Sequence, residues 1–162
     1  MHSAIATLLM LSLPPPNGAM QVLAKSTSHP VVALQITDAP VLSKHGMSNE
    51  TIRTHVEASL RRCGFSVSDS GPLEAAALIV LAGLDEESRG YSGSAILGVQ
   101  IIRTVEGVPY VPLAVFTDGV IFSGPPGTAG IQTREALSSL LDSFCNLWLQ
   151  ARDSAPVPKR RR

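Results

Sequence analysis

From Ala76 to Phe122 the sequence offers three extended runs in succession, separated only by connections of turn length. The first, Ala76 to Leu84 (AALIVLAGL), is continuous and apolar and is bounded by Asp85-Glu86-Glu87-Ser88-Arg89-Gly90. The second, Tyr91 to Val105, is centred on Val99, Ile101 and Ile102, and Glu106-Gly107 links it to the third, Val108 to Phe122. Strands joined this tightly pair as antiparallel neighbours, because a parallel partner needs a long crossover connection. Gly93 and Gly98 predict a bulge or a curve in the second run. Pro109 and Pro112 lack a ladder N–H and confine the start of the third run to a sheet edge or an unpaired lead-in. Asp118-Gly119 is a candidate break within it.

This meander is flanked by two segments of helical period. Val31 to Thr37 (VVALQIT) reads as a strand, and Asp38 to Gly46, with Pro40 and Gly46, as a loop. Ser48 is a candidate N-cap, with Glu50 in the first turn where the helix dipole favours an anion. Ile52, Val56, Ser59, Leu60 and Cys63 then share one stripe, while Arg53, Glu57, Arg61 and Arg62 face water. Gly64 ends this helix in the C′ position, Phe65 to Val67 is a short extended piece, and Ser68 to Pro72 a turn. A second helix, from about Thr133 to Ala151, presents Leu137, Leu140, Leu141, Phe144, Trp148 and Ala151 on one wide apolar face. The order β-α-β-β-β-β-α implies an α+β fold of two layers, a mainly antiparallel sheet with two helices packed on one face. A length of 162 residues fits one such domain, over residues 31–152.

The N-terminus has the pattern of an export signal. Ala4 to Leu13 (AIATLLMLSL) is an uncharged apolar run of h-region size, too short to span a bilayer, and Pro14, Pro15 and Pro16 follow. Small residues mark cleavage points after Ala19 and after Ala24. The second, with Val22 at the −3 position, is preferred, so that residues 1–24 are the leader and residues 25–30 a flexible mature terminus. No basic side chain precedes the apolar run, which departs from the usual signal pattern. No Cys lies near either point, so lipid anchoring is not expected, and no other stretch is long enough for a membrane span. The chain is therefore expected to be periplasmic or secreted.

Thirteen basic and thirteen acidic residues give a net charge of zero. Lys159, Arg160, Arg161 and Arg162 carry four of the positive charges, in an end segment (153–162) expected to be disordered. That leaves residues 25–158 with a net charge of −4, counted as 9 basic against 13 acidic side chains. A nucleic-acid-binding domain spreads basic residues over a face, so nucleic acid is not the expected partner.

Several residues resemble parts of known sites. Cys63 and Cys145 admit a disulfide in an exported chain, or two buried thiols. Gly124-Pro125-Pro126-Gly127-Thr128-Ala129-Gly130 looks like the GPPGTGKT phosphate loop of AAA-type ATPases. However, Gly130 stands at the Lys position and Ile131 at the Ser/Thr position, so the groups that hold phosphate and magnesium are missing. A strand-to-helix turn with weak anion-binding capacity at Gly124, Gly127, Thr128 and Gly130 is what remains. His2, His29, His45 and His55 lack metal-ligand spacing, and neither a metal nor a cofactor is expected. Ser48, His45 or His55, and Asp38 form a hydrolase triad on paper only, without a G-x-S-x-G elbow. Asp85-Glu86-Glu87 lacks the alternating ligands of a calcium loop and reads as a charged hairpin tip that discourages edge pairing. Asn49-Glu50-Thr51 matches a glycosylation sequon, but the helix start accounts for the same residues.

Residues 31–151 resemble short exported bacterial proteins of unknown function. The likeness is carried by Val56-Glu57-Ala58-Ser59-Leu60-Arg61-Arg62-Cys63-Gly64-Phe65-Ser66-Val67 and by Leu137 to Leu149, with Asp142, Phe144 and Asn146 in place. At the level of fold the order is also similar to small envelope-assembly domains, such as the lipopolysaccharide-assembly lipoprotein and the N-terminal domain of TolB. The resemblance implies an exported accessory domain that binds a protein or another envelope component. A small hydrolase using His55 or His45, or an anion or nucleotide binder at the glycine turn, are the alternatives.

Overall fold

The computed structural model describes residues 9–10, 17–26, 31–38, 40–68, 76–87, 90–105, 108–125 and 127–154. His2, His29, the apolar run 4–8, Ser88, Arg89, the Glu106-Gly107 turn and the basic end segment from residue 155 onward lie outside them.

Six strands form one sheet in the order β1-β6-β5-β4-β2-β3. They are β1 (Leu9–Met10), β2 (Val31–Asp38), β3 (Ser66–Ser68), β4 (Ala76–Glu87), β5 (Gly90–Val105) and β6 (Val108–Gly124). The meander forms as its short connections require: β4 pairs antiparallel with β5 from Ala76↔Ile101 to Glu87↔Gly90, and β5 with β6 from Tyr91↔Gly124 to Val105↔Val108. β2 joins β4 in parallel, Val32↔Ala76 through Asp38↔Ala82, and β3 joins the other side of β2 in parallel. The sheet is thus antiparallel through its longest pairings and parallel at the β4-β2-β3 side. A helix between β2 and β3 supplies the crossover that parallel pairing demands.

The helices are α1 (Asn17–Ser26), α2 (Pro40–Lys44), α3 (Asn49–Arg62) and α4 (Ala129–Asp153). Of these, α3 packs against α4 and β2, α4 against β5 and β6, and α1 against α4 and β6, so the three long helices share one layer. Ser48 caps α3 by accepting the Thr51 amide at 3.3 Å. At the other end Gly64 takes φ +91°, and the Gly64 and Phe65 amides donate to the carbonyls of Arg61 and Leu60. That is the Schellman arrangement, whose left-handed position glycine occupies without strain.

Alternation along β5 buries Tyr91, Gly93, Ala95, Leu97, Val99 and Ile101 against the helices. The expected stripes of α3 and α4 supply the opposing surface, every one of their named residues being buried. At the centre Phe144 stands 5.3 Å from both Phe65 and Phe116, and Trp148 4.8 Å from Phe65, ring centre to ring centre. These tilted contacts suit aromatic quadrupoles.

Three local expectations are corrected. Asp118-Gly119 does not break the third run, because Asp118 and Gly119 stay in register with Leu97 and Ile96. Instead the register shifts at Val99/Gln100, next to Gly98, leaving Val115 as an extra residue on β6. This bulge lets the consecutive Val115 and Phe116 both be buried. The 38–46 loop contains α2, which also ends in a Schellman turn: Gly46 has φ +74°, with the Gly46 amide on Ser43 O and the Met47 amide on Leu42 O. Five residues are too few to show a helical period. α4 begins at Ala129 rather than Thr133, since glycine and alanine hid its first turn. α1 spans both candidate cleavage points, and Met20 and Leu23 on it are buried in the common core. Among the described residues, no helix is long and apolar enough to cross a membrane.

Candidate functional site

The sheet has two unlike faces. Because side chains alternate along a strand, the register that buries one set toward the helices sends the other outward. On β5 these are Ser92, Ser94, Ile96, Gly98 and Gln100, and on β6 Thr117, Gly119, Ile121 and Ser123. Gly83 and Asp85 continue the face onto β4. No described helix covers it. Its residues are small or hydroxylated, its only described charge is Asp85 at one end, and two of the chain's large exposed hydrophobics stand here: Ile96, 38% exposed, and Ile121, 57% exposed. A shallow hollow of about 390 Å³ lies among Gly83, Asp85, Ser92, Ser94 and Ile121. On the helix side of the same strands Gly93 makes room for the Phe122 ring, which a Cβ there would approach to within 2.5 Å. The face is flat, nearly uncharged and lightly apolar, with hydroxyls as its hydrogen-bonding groups. Such a surface offers hydrogen bonds and apolar contact to a partner.

The glycine turn is explained by packing. Gly124 leaves room for the Tyr91 hydroxyl, 2.9 Å from Thr128 Oγ1, and for the Gln132 amide. Thr128 turns its hydroxyl back to donate to Pro125 O at 3.0 Å and does not cap α4. Gly127 has φ +90°. Gly130 lies where any Cβ would overlap the carbonyl oxygen of His45, so glycine lets α4 dock on the turn after α2. Each of the four residues read as an anion-binding turn thus has a place in the chain reversal.

The hydrolase candidates are dispersed. Ser48 is engaged at the start of α3, its hydroxyl 3.0 Å from Thr51 Oγ1. The side chain of Asp38 lies outside those described. His55 Nε2 is 3.0 Å from Ser138 Oγ on α4, a neighbour that sequence reading missed because 83 residues separate the two. Ser138 Oγ also lies 2.9 Å from the Arg134 carbonyl, which can only accept; when Ser138 donates there, His55 Nε2–H is the donor to Ser138 and Nδ1 is the basic atom. That polarity is the reverse of the one a histidine base needs to activate a serine. Burial, then the positive charges of Arg134 and Arg62, push the imidazole below its usual range, and Asp142 opposes them weakly.

Cys63, at the end of α3, is bonded to Cys145, midway along α4, with Cα atoms 5.7 Å apart. This spacing is ordinary for a disulfide. The bond clamps the two helices beside the Phe65–Phe144 contact.

Comparison with other proteins gives fold-level likenesses alone. No protein-family model matches the chain, and no curated protein matches its sequence. Among solved structures it is similar to a minor lipoprotein from Acinetobacter baumannii, with 13% identity, a TM-score of 0.36 and coverage of 78% of this chain and 95% of that one. It is also similar to the PelC dodecamer from Paraburkholderia phytofirmans, with 10% identity, a TM-score of 0.40 and coverage of 85% and 96%. A third is the rare lipoprotein B from Shewanella oneidensis, with 14% identity, a TM-score of 0.31 and coverage of 76% and 94%. Overlaps this loose transfer no residue roles.

Proposed function

We propose that this chain is an exported accessory domain that binds a protein of the envelope or extracellular space through the uncovered face of β4, β5 and β6. The observation that carries the reading is the contrast between the two sides of one sheet. One is sealed by α3 and α4, while the other leaves Ile96 and Ile121 exposed among small uncharged residues. Exposed apolar area that is flat and ringed by hydroxyls is characteristic of protein-binding surfaces. Export is supported by the apolar run from Ala4 to Leu13 and by the Cys63–Cys145 bond, since disulfides persist in oxidising compartments.

Photo-crosslinking in the native host tests this. A photoreactive residue at position 121 or 96 is expected to yield one discrete adduct, and the same residue at Arg61 on the helix layer none. Adducts missing at 121 and 96, or equal at all three positions, would overturn the assignment of the face.

A further inference from the structure

On the opposite side of the molecule, α3 and α4 meet along a groove that no structural duty explains. Thr51, Thr54, His55 and Ala58 line one wall and Arg134 the other, around a depression of about 550 Å³ with Glu50 at its end. Residues 51, 54, 55 and 58 repeat at helical spacing and so form one stripe of α3. Arg134 and Ser138 are one turn apart on α4, and His55 bridges to Ser138. The Arg134 guanidinium makes no ion pair with a described residue, although Arg53 and Arg61 nearby are both paired with Glu57. The charged groups acting on His55 from both helices are Arg62, Arg134 and Asp142, two cations against one anion. Glu50 lines the same depression, five residues before His55 and about 7.5 Å from it along the helix axis.

We infer that the α3–α4 groove is a binding site for an oxyanion, a phosphate or carboxylate group held by Arg134 and His55. Arginine offers a planar fork of donors that matches either group, and the Thr51 and Thr54 hydroxyls border the same space. In the tautomer that donates Nε2–H to Ser138, Nδ1 takes up the proton when the anion arrives, and the imidazolium completes the charge balance. The anion removes the repulsion that Arg134 exerts on a protonated His55. Binding therefore strengthens as the pH falls through the titration of His55, and the bound anion raises the pH at which His55 titrates.

The experiment follows the His55 ring by NMR in the full-length, disulfide-bonded chain, with the resonance identified by its loss in His55→Gln. Inorganic phosphate and acetate are titrated in separately at constant ionic strength, with chloride as reference. The expected result is a saturable shift of the His55 signal, with a dissociation constant on the order of 1 mM, and an upward move of its titration midpoint. Arg134→Gln should weaken that binding at least about tenfold, the usual loss for a charged hydrogen bond, while leaving the amide spectrum of the core unchanged. A response to phosphate alone assigns a phosphate-bearing ligand, and a response to both admits a carboxylate. If neither anion shifts His55 beyond the chloride reference, or if Arg134→Gln responds as the parent does, the inference fails.

Discussion

Reduction of the Cys63–Cys145 bond should cost this domain a large part of its stability without disturbing its core. The bond joins positions 82 residues apart. In the chain-entropy model, closing a loop of that length removes about 15 cal/mol/K from the denatured chain, or about 4.5 kcal/mol at 25 °C. The folded side of the equilibrium changes little. Cys63 is buried, with Sγ 3.4 Å from the carbonyl oxygens of Ser59 and Leu60, so a thiol released there has acceptors in place. For a chain of this size each kcal/mol corresponds to roughly 2–4 °C in Tm, giving an expected fall of roughly 9–18 °C. Urea unfolding with and without a phosphine reductant measures the difference, and intact mass confirms the gain of two hydrogens. The Cys63→Ala/Cys145→Ala double variant should track the reduced form, with a further loss for missing packing. Unfolding curves that superimpose, or that differ by less than about 1 kcal/mol, would refute the claim that the bond clamps α3 to α4 in the folded chain.

Four further outcomes are expected. Gly130→Ala should lose about 1–3 kcal/mol by overpacking against the His45 carbonyl, whereas Gly127→Ala, open on all sides at φ +90°, should lose about 1–2 kcal/mol from backbone strain alone; urea denaturation distinguishes them. Gly93→Ala should push the Phe122 ring from its seat and cost about 1–3 kcal/mol, read in the same assay and as a change in aromatic near-ultraviolet dichroism. His55 is held below its ordinary range by burial first and by Arg134 and Arg62 next, so its proton favours the unfolded chain. Its contribution is present above the unfolded value of about 6.5 and is lost as the pH falls toward the folded one, and His55→Gln should flatten the stability profile between about pH 7 and pH 5. A chain starting at Lys25 lacks Met20 and Leu23, both buried against the core, and should be less stable than the full chain by about 3–6 kcal/mol in parallel urea titrations.

Legibility followed the range of the interaction. The stripe Ile52, Val56, Ser59, Leu60, Cys63 and the face Leu137 through Ala151 were readable because helical period repeats within a dozen residues, and Gly64 marked its helix end for the same local reason. The meander was readable because short connections leave one way to pair. Parallel pairing of β2 with β4 was not, since the partners lie more than forty residues apart and nothing local selects the side of β2 on which β4 lies. α2 and the first turn of α4 escaped because proline and glycine signal turns in sequence, while here they serve a Schellman end and a close helix approach. Of the site, the outward set Ser92, Ser94 and Ile96 could have been found from its alternation with Ala95 and Leu97. The meeting of His55 with Ser138 and Arg134 could not, because it depends on how two helices cross.

The same topology argues that recognition falls to the sheet's open face and not to its edges. An edge strand invites partners through its free N–H and C=O groups, and proteins blunt edges with short strands, prolines and bulges. Here one edge is β3, only three residues long. At the other, β6 is flanked only by the two-residue β1 of the expected leader, the bulge at Val115 twists the strand midway, and Pro109 and Pro112 remove donors near its start. A short strand, a bulge and prolines, each a device that discourages strand addition, thus stand at the edges. The described part of the outward face carries mostly small, uncharged side chains around Ile96 and Ile121, with Asp85 at one end. Charge would have been the simplest way to keep that face solvated, and 13 acidic and 13 basic residues were available to supply it. Their near-exclusion from β5 and β6 points to a surface that is covered in use, and lysine at Ile121 should abolish partner binding while leaving the folded state intact.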